Sequence, residues 1–278
     1  DTLDTEHQVY IIPCRDPIGL NGFAYALSLS LGEEPQLADK VAAVELLRAR
    51  GEVLHEDEDL LVALIGEHGY FSRVRHGWSI EQAPALEPLR GRRVYCMAGS
   101  EKFEGSAMLQ RAYSLIVDPE GEILHINRFH DTDWAPVEPR VTRQLLDEVR
   151  PGISFDLHES AGMDDRFWLS ARTQPDPESQ EWEAKAATAT INAIAASGAT
   201  LASEKDAPSK WFDMSEQAVF WLDATRRGEG FNLMDFCSRT YGLAFGTEMG
   251  MFGTFDGRVD MALTTVRTAV SVFEQRYR

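Results

Sequence analysis

The 278-residue sequence predicts an α/β domain with a mixed, mostly parallel central sheet and helices on both faces. Three observations predict it. Short β-prone apolar runs alternate along the chain with segments whose apolar residues recur at three- and four-residue steps. Apolar residues make up 44% of the chain, enough for an ordinary globular core. No repeat, low-complexity tract or obvious linker interrupts the pattern, so residues 1–278 read as one domain.

The elements follow in order. Val9-Tyr10-Ile11-Ile12-Pro13 is a β-prone run, closed by the turn signal Asp16-Pro17-Ile18-Gly19. Phe23 to Leu31 is apolar and helical in length. Pro35 to Arg50 places Leu37, Val41, Val44 and Leu47 at helical steps, and Gly51 stops it. Residues 52–89 fit no clear pattern and read as an insertion over one sheet edge. Arg92 to Met97 is a strand. Tyr113–Val117 and Ile123–Phe129 flank Asp118-Pro119-Glu120-Gly121, a hairpin signal. Pro139 to Val149 is a helix, and Ile153 to His158 a buried strand. Phe167 to Leu169 is a strand, Pro177 to Ser197 a long alanine-rich helix, Ala199 to Ala202 a short strand and Ser215 to Ala224 a helix. Leu243 to Glu248 is a strand, and a last helix runs from Val259 to Tyr277.

Composition narrows the function. The net charge of −18 argues against nucleic acid, which needs a basic face. No apolar run approaches the ~18 residues of a membrane span. The polar, acidic start is unlike a signal peptide. Three widely spaced cysteines, Cys14, Cys96 and Cys237, suggest neither a disulfide framework nor a cysteine metal site. Together these lean towards a cytoplasmic protein without a membrane partner.

The residues that can carry chemistry sit at strand ends. His158 ends the strand Ile153–His158, where open α/β sheets place ligands. Its imidazole can hold a metal through one nitrogen while a neighbour holds the other; the plain alternative is a hydrogen-bonded histidine at a strand end. Glu248 ends the apolar run Leu243-Ala244-Phe245, a setting that raises a carboxyl pKa towards that of a general base. Its alternative is a structural glutamate capping a loop. Asn127 and Arg128 end the second hairpin strand and make a fork for a carboxylate. Arg111 begins the first hairpin strand and adds positive charge, or pairs with surface carboxylates.

Four segments, in order, resemble the zinc carboxypeptidase superfamily, peptidase family M14, which includes the succinylglutamate desuccinylase and aspartoacylase branch. Ile12-Pro13-Cys14-Arg15-Asp16-Pro17-Ile18-Gly19 is similar to its P-x-x-N-P-D-G turn. His125-Ile126-Asn127-Arg128-Phe129 is similar to D-L-N-R-N-F, and Asp156-Leu157-His158 to D-L-H. Gly246-Thr247-Glu248 resembles its late strand with the catalytic glutamate. The resemblance implies a zinc ligand at His158, a catalytic base at Glu248, an oxyanion-stabilising role for Arg111, and a substrate carboxylate held by Asn127 and Arg128. It implies zinc as cofactor and a small peptide or N-acyl amino acid with a free carboxylate as substrate.

The sequence departs from the family at His125 and Asp16, where the family keeps Asp and Asn. It also lacks the H-x-x-E segment that supplies two zinc ligands: His7 is followed by Gln8-Val9-Tyr10. Three explanations stay open. The chain starts after that segment, His55 and Glu58 replace it, or the protein is a zinc-free relative or relies on a homo-oligomer or a partner segment for the ligands. The expected activity is amide hydrolysis beside a free carboxylate, by a carboxypeptidase or by an N-acyl amino acid deacylase. The alternative is a metal-free, non-catalytic binding protein.

Overall fold

The computed structural model describes residues 3–75, 77–98, 102–160, 162–207, 212–222 and 231–277. Its strands and helices give the expected α/β class, with mixed sheets flanked by helices. The strands are shared between two sheets, one in each of two compact units. The first unit holds Ile11–Arg128 and Pro136–Pro139; the second holds Asp1–Tyr10, Phe129–Ala135 and Arg140–Arg278.

The first unit opens with helices α1 (Pro17–Asn21), α2 (Phe23–Leu31) and α3 (Lys40–Arg50). Asp16 caps α1 by accepting the Gly19 N–H at 2.9 Å, and Asp39 caps α3 through Ala42 at 2.9 Å. The second cap places the start of α3 after residues 35–39. Six strands follow: β1 (Glu52–Glu56), β2 (Leu61–Ile65), β3 (His68–Phe71), β4 (Arg93–Met97), β5 (Ala112–Val117) and β6 (Ile123–His125). They lie side by side in chain order, and only the β3–β4 pairing is parallel. Residues 52–71 thus build half of this sheet.

Strand alternation assigns the two faces. Ala63, Tyr70 and Tyr95 meet Phe23, Leu27, Ala43 and Leu47 of the helices. Val62, Phe71, Val94 and Cys96 meet Trp78, Ile80, Leu86 and Leu89 from the segment between β3 and β4. The hairpin turn forms as the sequence predicts. Gly121 takes φ +93 and donates its N–H to the Asp118 carbonyl at 3.1 Å.

Helix α4 (Val137–Val149) begins in the first unit and continues in the second. The second unit then runs β7 (Ile153–Ser160), β8 (Phe167–Arg172), α5 (Pro177–Ala196), β9 (Phe212–Glu216), β10 (Val219–Leu222), α6 (Leu233–Thr240), β11 (Leu243–Gly250) and α7 (Phe255–Gln275). The sheet order is β7-β11-β8-β10-β9. β7–β11 and β8–β10 pair in parallel; β11–β8 and β10–β9 pair antiparallel. Leu243, Phe245, Leu169 and Ala171 share a core with α5 and α7. The opposite face carries Gly246, and a Cβ built there would sit 3.8 Å from Met234 of α6. Helix α6 therefore covers that face.

Three local expectations are corrected. Residues 215–222 are strands, not a helix; Ala224 lies outside the described residues. The run Val219-Phe220-Trp221-Leu222 is buried throughout, and Ala218 makes the preceding turn at φ +63. A continuous apolar run of this length fits a buried strand better than one helix face. Val9–Ile12 forms no strand and is exposed to solvent. Around Ala199–Ala202 only a single bridge forms, from Leu201 to Phe167.

Candidate active site

The site is built on the parallel pair β7–β11. His158 and Glu248 are direct Cα partners in that pair. Opposed residues on adjacent parallel strands point to the same face, with the backbones ~4.8 Å apart. The two chemical groups therefore stand side by side near the strand ends, on the face covered by α6. Glu248 is also the direct partner of Trp168 on β8. His158, Glu248 and Trp168 form one row across three strands.

The next row towards the strand starts holds Asp156, Gly246 and Ser170. An ideal Cβ on Gly246 would lie 2.6 Å from the Ser170 hydroxyl, so only glycine fits there. Asp156 is buried, and its Oδ2 lies 2.9 Å from Nε2 of His158. This contact orients the imidazole: a neutral His158 that donates from Nε2 to Asp156 keeps its lone pair on Nδ1. The His158 backbone N–H donates to Oγ1 of buried Thr247 at 3.3 Å, which ties β7 to β11 at this level.

Glu248 is partly buried, with Oε2 shielded from solvent. Trp168 is held edge-on between Phe212 and Phe220, at centroid distances of 6.1 and 5.2 Å. Its indole Nε1 is buried and meets no acceptor among the described residues. Deeper on the same face, Arg172 forms a fully buried ion pair with Asp235 of α6, beneath Phe231.

The other sequence candidates belong to the first unit. Arg111 precedes β5 and donates through Nη1 to the carbonyls of Gln110 and Leu20, at 3.0 and 3.3 Å. Asn127 and Arg128 follow β6 in a short 3-10 turn. Asn127 is buried, and Arg128 Nη1 donates to the Asn127 carbonyl at 3.0 Å. All three therefore stand at the open end of the β5–β6 hairpin. His125 stacks on Tyr113, with centroids 4.1 Å apart.

His55, the alternative ligand candidate with Glu58, lies in β1 of the first unit. His55 turns its Nε2 to Asp57 Oδ2 at 2.9 Å and packs edge-on against Trp78. Among the described residues, no group of three or more His, Cys, Asp or Glu side chains is arranged to hold a metal ion. His158 is a well-oriented single donor, and the described side chains do not complete a zinc site around it.

Sequence reasoning passed over Asp156 and Trp168 as site residues. Asp156 had a signal, since it lies two residues before His158 on a strand and shares its face. Trp168 had none, because its position beside Glu248 depends on β11 inserting between β7 and β8. Among the described residues, no helix is long and apolar enough to cross a membrane.

No family model matches the chain. No curated protein matches it. Several solved structures do so weakly. A "putative metallopeptidase" from Shewanella denitrificans shares 15% identity over 84% of this chain and 88% of its own, at a TM-score of 0.39. Another from Shewanella amazonensis shares 13% over 82% and 89%, at 0.40. An N-acetylmuramyl-L-alanine amidase from Mycobacterium smegmatis shares 12% over 56% and 64%, at 0.33. Likeness at this level assigns neither reaction nor ligand to the chain.

Proposed function

We propose that the protein is a hydrolase of an amide bond next to a free carboxylate, of the metallocarboxypeptidase type. The observation that supports this most is the direct opposition of Glu248 and His158 on β11 and β7, with Asp156 orienting the imidazole. A carboxylate beside an oriented imidazole at a strand end is suited to moving protons. Glu248 accepts a proton from the attacking water and delivers it to the leaving amine. Asn127 and Arg128 take the substrate carboxylate, and Arg111 stabilises the oxyanion; these roles rest on the sequence resemblance. Zinc belongs to this reading only with donors beyond those the described residues assemble, so no step is assigned to it.

A second reading is a non-catalytic protein that binds free carboxylates. The incomplete donor set around His158 favours it. One comparison separates the two: hydrolysis of N-acylated dipeptides with free and amidated C-termini, by wild type and by Glu248→Gln, with zinc supplied. The hydrolase reading expects Glu248→Gln to keep the fold and lose ~10²-fold or more in kcat. Undiminished turnover in that variant refutes Glu248 as the base. Binding of free-carboxylate peptides without any turnover supports the second reading.

A further inference from the structure

A cavity of about 560 Å³ opens at the other end of the second sheet from His158 and Glu248. It lies beside Gly152 and Leu243, where β7 and β11 begin, and beside Gln174, where β8 has ended. Glu248 stands five positions beyond Leu243 on β11, which at the rise of a strand is ~16 Å away. The whole lining belongs to the second unit. Cavities of about 300–1,000 Å³ hold small molecules, so this one has the size of a ligand site.

The lining carries charges of both signs. Of its two arginines, Arg239 lays its guanidinium over the Phe231 ring at 4.3 Å. Arg276, at the end of α7, reaches Glu178 in the first turn of α5, with Nη2 3.4 Å from Oε1. The contact is long, and the Glu178 side chain is 70% exposed. So exposed a pair contributes little to stability, and opening it costs little. Gln174 and Ser238 add uncharged polar groups. Gln174 Nε2 donates to Glu183 Oε2 at 2.6 Å and to the Ser238 hydroxyl. Gln174 Oε1 accepts no hydrogen bond among the described residues, and the Ser238 hydroxyl keeps a hydrogen of its own to donate.

We propose that this cavity binds a free amino acid with an uncharged polar side chain. Its carboxylate takes the Arg276 guanidinium, its ammonium takes Glu178, and its side chain exchanges hydrogen bonds with Gln174 and Ser238. A zwitterion brings both charges of the pair it enters, so neither Arg276 nor Glu178 loses its counter-charge. A simple anion would strip Glu178 of its partner, and a simple cation would strip Arg276. The site is separate from the row of His158 and Glu248, and the inference goes beyond the hydrolase reading without resting on it.

Equilibrium dialysis of the full chain against radiolabelled L-glutamine, L-asparagine and L-serine tests it. Expected is binding of at least one of them, at about one per chain and with about millimolar affinity or tighter. Blocking its carboxylate as the amide, or its ammonium as the N-acetyl derivative, should each weaken binding at least ~tenfold, read by competition. Arg276→Gln and Glu178→Gln should weaken binding of the free amino acid as much. The amide should bind wild type and Arg276→Gln alike, and the N-acetyl derivative should bind wild type and Glu178→Gln alike. A merely structural role for either residue would not give that pairing. Both residues lie at helix ends, so the variants should keep the wild-type circular dichroism spectrum and melting temperature. Three results overturn the proposal: no binding of any of the three amino acids, equal affinity in wild type and both variants, or blocked forms that bind as tightly as the free amino acid. Dialysis reads no turnover, so this site and the Glu248 assignment can fail separately.

Discussion

Asp156 holds His158 from two residues away on one strand, with Oδ2 2.9 Å from Nε2. The carboxylate is buried, which strengthens this hydrogen bond. Asp156→Asn keeps the shape and removes the charge, and its amide can turn an N–H towards Nε2. The imidazole would then present the wrong tautomer. Turnover, or His158-dependent zinc retention, should fall ~10–100-fold while the fold is kept. Kinetics and elemental analysis with a circular dichroism control check it; unchanged values would mean that Asp156 does not orient the imidazole.

Two residues of the candidate site, His158 and Glu248, were legible as strand residues, because strands with polar tips are local signals. The apolar run ending at His158 and the one ending at Glu248 each announced a strand with a polar tip. Their adjacency was not legible from periodicity: β11 joins β7 from 90 residues further on at the first paired position, Ile153 with Leu243. The first sheet was the least legible. Its β1–β3 strands are short, and Leu61–Ile65 is apolar at every position, so neither alternation nor a helical step marks it. Val219–Leu222 misled for the same reason. Val9–Ile12 has strand propensity but no strand neighbour among the described residues, and propensity without a partner does not make a strand.

Glu183 predicts a pH dependence of stability. It is fully buried on α5, where it accepts from Gln174 Nε2 at 2.6 Å and from the Ala244 N–H at 3.3 Å. Burial outweighs these hydrogen bonds and raises its pKa from 4.5 to about 8. Between these two values the folded protein keeps a proton that the unfolded chain releases. Stability therefore falls as pH rises through that window, by at most ~1.4 kcal/mol per pH unit from this group. Below pH 4.5 and above pH 8 the contribution is flat. Urea midpoints at several pH values should show the slope, and Glu183→Gln should remove it. A slope identical in the variant would assign the effect to other groups.

The Arg172–Asp235 pair predicts an asymmetry. Both side chains are almost fully buried, at 2% and 1% exposure, so removing either partner leaves a charge in the core. Arg172→Met or Asp235→Leu alone should cost ~3–5 kcal/mol. The double variant should recover most of that loss, since it removes both members of the pair together. Chemical denaturation of all three variants makes the cycle. Additive losses would mean that the two residues act independently.

Trp168 carries a buried N–H with no acceptor among the described residues, beside Glu248 and between two phenylalanine rings. An unmade hydrogen bond of this kind costs ~1–3 kcal/mol. Trp168→Phe removes the donor and keeps an aromatic ring against Phe212 and Phe220, at the cost of a small void. The two effects oppose each other, so the net change in stability should stay within ~1 kcal/mol. Trp168→Ala has no such offset and should cost ~3–5 kcal/mol through the cavity alone. Urea denaturation of both variants checks the pair. A loss of ~3 kcal/mol or more in Trp168→Phe would show that the indole N–H is engaged in the folded protein.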